Sequence, residues 1–155
     1  MLGVKLLFLA ATAAAALGAP DPFVGRWKMN PAKSTYVMGA APREQIATMT
    51  VADGDLHVLV NAITSDGIKT VVSYSVPYDG GVGKMDLTSS PAYDGITGKH
   101  IGPREREISR LKSGKTVFTA HSTITPDGKT MSVFSKGVSP VGRPVEAKVI
   151  YDRLD

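Results

Sequence analysis

The chain contains no cysteine. A structural disulfide, a thiolate metal site and a cysteine nucleophile are therefore excluded. Histidine is nearly as scarce: His57, His100 and His121 stand far apart in the sequence. No two share the short spacing that sets up a local metal-ligand pair, so no metal site is expected. No serine lies in a nucleophile-elbow pattern, and no catalytic constellation is visible. "SGKT" and "DGKT" end like phosphate-binding loops, but the upstream glycine such a loop requires is replaced by Ser109 and Thr123. Aromatic residues make up 6% of the chain, and none is interleaved with basic residues as a single-strand groove would need. Nucleic acid is not an expected partner. Beyond residue 18 no long apolar stripe recurs at helical spacing, so helices are not expected either.

Among the features present, the first is a leader-like start. Lys5 precedes "LLFLAATAAAAL", an apolar run of secretory length, too short to cross a bilayer comfortably. Ala16-Leu17-Gly18 supplies small residues for cleavage, so residues 1–18 read as a signal peptide and 19–155 as one mature domain. No transmembrane segment is expected in that mature chain, and its expected location is the periplasm or the cell exterior. The formal charge of +4 falls to +3 when Lys5 leaves with the leader. That mild excess favours anionic ligands or surfaces.

The second is a rhythm of turns. Asp53-Gly54, Asp66-Gly67, Asp79-Gly80, Asp94-Gly95, Ser113-Gly114 and Asp127-Gly128 are pairs that tolerate the positive φ of tight reversals. Alternating, β-branched segments lie between them, such as "LHVLVNAI" and "KTVFTAHSTIT". Strands are expected at 24–29, 43–52, 56–64, 68–77, 84–88, 96–101, 104–112, 116–125, 130–138 and 145–153. Short turns make neighbours antiparallel. The expected fold is all-β, a single up-and-down barrel of about eight to ten strands, since closure removes exposed edges. Met49, Met85 and Met131 fall in strands and are candidates to line an adaptable apolar interior.

The third is a charged strand. In "REREISRLK", Arg104, Arg106, Ile108 and Arg110 fall on one face, and Glu105, Glu107, Ser109 and Leu111 on the other. If the strand is part of a closed wall, one of these charged faces points inward, which requires ion pairing or a ligand-sized cavity. If it overhangs the rim, both faces are solvated.

At its two ends and in one hairpin the chain resembles a group of secreted bacterial lipocalin-like proteins of the calycin type, mostly without assigned function. The residues that carry the likeness are "DPFVGRWKMNPAKS", "DGKTM" and "GRPVEAKVIYDR". The resemblance implies that Trp27, after Gly25, closes the barrel base under a basic side chain of the last strand. Arg153 is the candidate, placed over the indole face. A Thr-Asp-Tyr motif, a disulfide and a C-terminal helix of lipocalins are missing. The chain is also similar in strand number to fatty-acid-binding proteins, but their Arg-x-Tyr appears reversed as Tyr151-x-Arg153. A single tryptophan argues against the biotin cage of avidin-like barrels.

The resulting expectation is a non-enzymatic, cofactor-free binding protein for a small, partly apolar, anionic molecule. Val58, Val72, Tyr74 and Phe118 are expected to line the cavity, with Arg106 holding the head group. The alternative is a filled barrel acting as an envelope interaction module. In that case Arg104, Arg106, Arg110 and Lys112 would form an outward basic stripe.

Overall fold

The computed structural model describes residues 20–78, 80–85 and 92–155. The expected leader, the turn residue Asp79 and the end of the expected 84–88 strand lie outside these residues. The described chain is all-β apart from one 3-10 turn. Its strands are β1 (Gly25–Met29), β2 (Thr35–Met38), β3 (Glu44–Ala52), β4 (Asp55–Ile63), β5 (Lys69–Pro77), β6 (Gly81–Val82) and β7 (Lys84–Met85), followed by β8 (Gly95–Gly102), β9 (Glu105–Lys112), β10 (Lys115–Ile124), β11 (Thr130–Val138) and β12 (Pro144–Arg153). Every pairing is antiparallel, and the sheet runs β6-β8-β9-β10-β11-β12-β1-β3-β4-β5-β7. First strand meets last, with Trp27 opposite Arg153. The result is a nearly closed up-and-down barrel.

Local chemistry sets the reversals. Asp53 and Gly54 have φ of 54° and 80°, and Ser113 and Gly114 have 50° and 76°. These are the two consecutive left-handed residues that a two-residue hairpin with native twist demands. Three longer turns share a different device. Thr64, Thr125 and Ser139 each accept with a side-chain oxygen from the amide of Ile68, Thr130 and Arg143, at 2.9, 3.1 and 3.1 Å. Inside these turns Gly67, Gly128 and Gly142 donate back to the same three residues' carbonyls. Asp94-Gly95 is not a reversal. Asp94 N–H already bonds Leu111 O, and its carboxylate accepts from Ser113 N–H at 2.8 Å, so Gly95 simply begins β8.

β2 was not anticipated from the sequence, and the "NPAKS" stretch explains it. Asn30 accepts from Lys33 N–H and caps a 3-10 turn over Pro31–Lys33, whose proline needs no donor at that position. The turn lifts the chain off β12 and sets it down again as β2. Ser34 Oγ fills the gap in the ladder by accepting from Ile150 N–H at 3.0 Å. β1 and β2 are thus one stave with a loop in it, both paired to β12.

The remaining seam, between β5 and β8, is spliced by β6 and β7. β6 pairs with β8 and β7 with β5, and Gly83 between them donates to Ile96 O at 2.8 Å. Close approach demands glycine on the β8 side as well: a Cβ on Gly98 would stand 2.7 Å from Val76 Cβ. Val76 and Ile96, both fully buried, pack across this seam.

Candidate functional site

Two ends of the barrel differ in chemistry. At the closed end Phe23 and Trp27 are buried, and Trp27 Nε1–H donates to Phe23 O at 2.9 Å. The Arg153 guanidinium lies 4.1 Å above the Trp27 ring. Its nitrogens donate to three backbone carbonyls: Gly128 O at 2.7 Å, Val24 O at 2.8 Å, and Pro22 O. Gly25 gives it room, since a Cβ there would meet the guanidinium. One cation therefore ties the N-terminal segment, the 125–130 turn and the indole together.

The opposite end, framed by the 39–43 and 139–143 loops, opens into a cavity of about 350 Å³. Pro42, Gln45, Ser139, Pro140 and Val145 stand at its mouth. Deeper, the wall is Val58, Val60, Tyr74, Ile108 and Phe118, with Met49 and Met131 below. A volume in this range, with a mostly apolar wall and few polar groups, is that of a small-molecule site.

β9 supplies the charge. It is paired along its length by β8 and β10, so it does not overhang the rim. Arg106, Ile108 and Arg110 face inward, while Arg104 and Lys112 are exposed at the strand's two ends. The outward basic stripe expected of a filled interaction module is therefore not present. Strand parity sends its two central arginines to the interior.

Among the described residues, Arg110 is the one charged side chain on the cavity wall. Its guanidinium is caged by aromatic faces, 4.8 Å from the Phe118 centroid, 5.1 Å from Tyr93 and 5.8 Å from Tyr74. A register shift between Thr116 and Phe118 aims Phe118 at it. Gly137 makes that bulge possible, because a Cβ there would stand 2.6 Å from Phe118 Cα. Arg110 Nε is buried without a hydrogen-bond partner, and no carboxylate among the described residues pairs with this side chain. Burial raises the Tyr74 and Tyr93 hydroxyl pKa values, and the Arg110 charge opposes both shifts. Burial also pushes Tyr151, further down the wall, far above its usual range.

Arg106, expected as the head-group anchor, is inside the barrel but does not line this cavity. It lies toward the closed end, 3% exposed, between the rings of Phe23 at 5.5 Å and Tyr78 at 5.2 Å. Its three side-chain nitrogens are all buried without a partner. Asp21 Oδ2 and His100 Nε2 are likewise buried and unpartnered. Desolvation, then the Arg106 charge, lowers the His100 pKa, while Asp21 opposes the shift. Of the expected lining residues, Val58, Tyr74 and Phe118 are on the wall. Val72 faces inward opposite Val60 but does not reach it. Tyr93 was not anticipated, since it lies in a stretch without alternation. Alternation groups Arg106, Ile108 and Arg110 on one face of β9, but decides neither which face is internal nor how deep along the axis each arginine sits.

A shallow recess on the outer wall is lined by His57, Ser75 and Lys84. His57 Nε2 is engaged with Ala52 O at 3.3 Å, and no hydrogen bond joins it to Ser75 among the described residues. No group of three His, Asp or Glu residues able to hold a metal occurs among the described residues. None of the described helices is long and apolar enough to cross a membrane.

No protein-family model matches the chain, and no curated protein matches its sequence. Among solved structures it is similar to zebrafish ileal bile acid-binding protein in complex with cholic acid, at 9% identity and a TM-score of 0.46, over 86% of this chain and 99% of that one. It is also similar to the siderocalin Ex-FABP, a protein of dual ligand specificity, at 13% identity and a TM-score of 0.42, over 85% of this chain and 74% of that one.

Proposed function

We propose that this protein binds a small, partly apolar anion inside the barrel, with the apolar body against Val58, Val60 and Ile108 and the acidic group on Arg110. The observation that carries this reading is a single cation on a wall whose other described residues are uncharged. The rings of Tyr74, Tyr93 and Phe118 hold that cation without neutralising it, so its charge is left for a ligand. A charged hydrogen bond in such a site is worth about 1.5–3 kcal/mol, or roughly 10- to 150-fold in affinity. Calorimetric titration with octanoate tests it: Arg110→Met should weaken binding by that factor while the fold persists. Equal affinity in the variant would remove Arg110 from the site.

Export to the periplasm or the cell exterior, with cleavage before Ala19, belongs to the same proposal. The support is the apolar leader-like run after Lys5, followed by the small residues Ala16 and Gly18. Expression of the full chain in a bacterium, followed by N-terminal sequencing of the periplasmic fraction, should give Ala19 first. Protein retained in the cytosol with Met1 intact would refute it.

A further inference from the structure

Arg106 has a buried charge and three buried nitrogens to satisfy, and none of them has a hydrogen-bond partner among the described residues. A guanidinium cannot shed its proton to escape this, and leaving buried donors unpaired is expensive. The rings of Phe23 and Tyr78 stabilise the charge but accept no hydrogen bond in the guanidinium plane. Asp21 is close enough to be felt electrostatically by both Arg106 and His100, yet it forms no ion pair with Arg106. Its Oδ1 is taken by Phe23 N–H at 2.8 Å, and Oδ2 is free. Phe23 links the two groups: its amide holds the Asp21 carboxylate, and its ring lies 5.5 Å from the Arg106 guanidinium.

The cavity reaches the level of this cluster. Ser122, on the cavity wall, is the cross-strand partner of Arg106, and Tyr74, also on the wall, lies within electrostatic reach of both Arg106 and Arg110. Arg106 and Arg110 share one face of β9, separated by Ile108. Four residues at about 3.3 Å each place their Cα atoms about 13 Å apart along the strand. One extended amphipath spans that distance.

We infer that Asp21 and Arg106 form a second polar subsite at the base of the barrel, and that it takes a hydroxyl at the far end of an acidic ligand held by Arg110. This rests on the anionic-ligand reading above and adds the ligand's second functional group. A hydroxyl fits because it both accepts and donates: it accepts from Arg106 and donates to Asp21 Oδ2. A second carboxylate would satisfy Arg106 but would face the Asp21 carboxylate. A methyl terminus would leave both groups unpaired.

The test is calorimetric titration of the full mature chain with three acids of equal carbon number: octanoate, omega-hydroxyoctanoate and suberate. The hydroxy acid should bind at least about tenfold more tightly than octanoate, the equivalent of one charge-assisted hydrogen bond, and more tightly than suberate. Arg106→Met should abolish the hydroxyl preference, bringing the ratio of hydroxy-acid to octanoate affinity to about one. Asp21→Asn, which keeps an oxygen for Phe23 N–H, should move the preference toward suberate. Equal wild-type affinity for octanoate and the hydroxy acid would overturn the subsite and leave the Arg110 reading standing. A hydroxyl preference that survives both substitutions would also overturn it. If none of the three acids binds, the anionic-ligand reading falls and this subsite with it.

Discussion

Replacing Arg153 by alanine should loosen the closed end more than any other single change to a charged residue. Three carbonyl bonds and one indole contact disappear together. Hydrogen bonds from a charged donor contribute about 1.5–3 kcal/mol each. The bond to Val24 O is exposed and is discounted, leaving two part-buried bonds at the lower end of that range. A desolvated cation over an indole adds up to about 2 kcal/mol. These terms share one side chain and do not add fully. The expected loss is about 3–5 kcal/mol, a large part of the roughly 5–15 kcal/mol that holds a domain together. Urea unfolding followed by emission of the single tryptophan reads both consequences. The midpoint should fall sharply, and native-state emission should shift to the red as water reaches Trp27. Arg153→Lys, which keeps the charge but cannot fork to several carbonyls, should recover the indole contact and only part of the midpoint. A loss below about 1 kcal/mol with unchanged emission would show that the contact is incidental.

The seam and the base offer two more checks. Gly98→Ala places a methyl 2.9 Å from Val76 Cγ2 and 3.1 Å from Cγ1 and should cost about 1–3 kcal/mol in chemical denaturation, with Val76→Ala, which removes both Cγ atoms, costing less in that background than in the wild type. No coupling between the two substitutions would mean that β5 and β8 do not pack there. His100 has a lowered pKa in the folded state, so the unfolded chain takes up its proton first as pH falls. Stability should therefore decline as pH drops through about 6.5, the unfolded value, and below. The melting temperature of His100→Gln should decline less steeply between neutral pH and about pH 5, and parallel curves would refute the assignment.

The sequence alone determined the antiparallel all-β strands, because turn pairs and period-two alternation are local properties of the chain, while pairing of β1 with β12 closed them into a barrel. It also placed Arg106, Ile108 and Arg110 on one face, since strand parity depends on nothing beyond the pleat. It did not reveal β2, because the Asn30 cap and the Ser34 hydroxyl act through β12, more than a hundred residues away. It offered Asp94-Gly95 as a turn, and tertiary pairing with β9 made that pair the start of a strand. Tertiary structure alone decided which arginine meets the cavity. Both face inward, but closure of the barrel fixes depth along its axis. The rings of Phe23 and Tyr78 hold Arg106 off the cavity wall at the barrel base, whereas Arg110, nearer the mouth, lies on that wall.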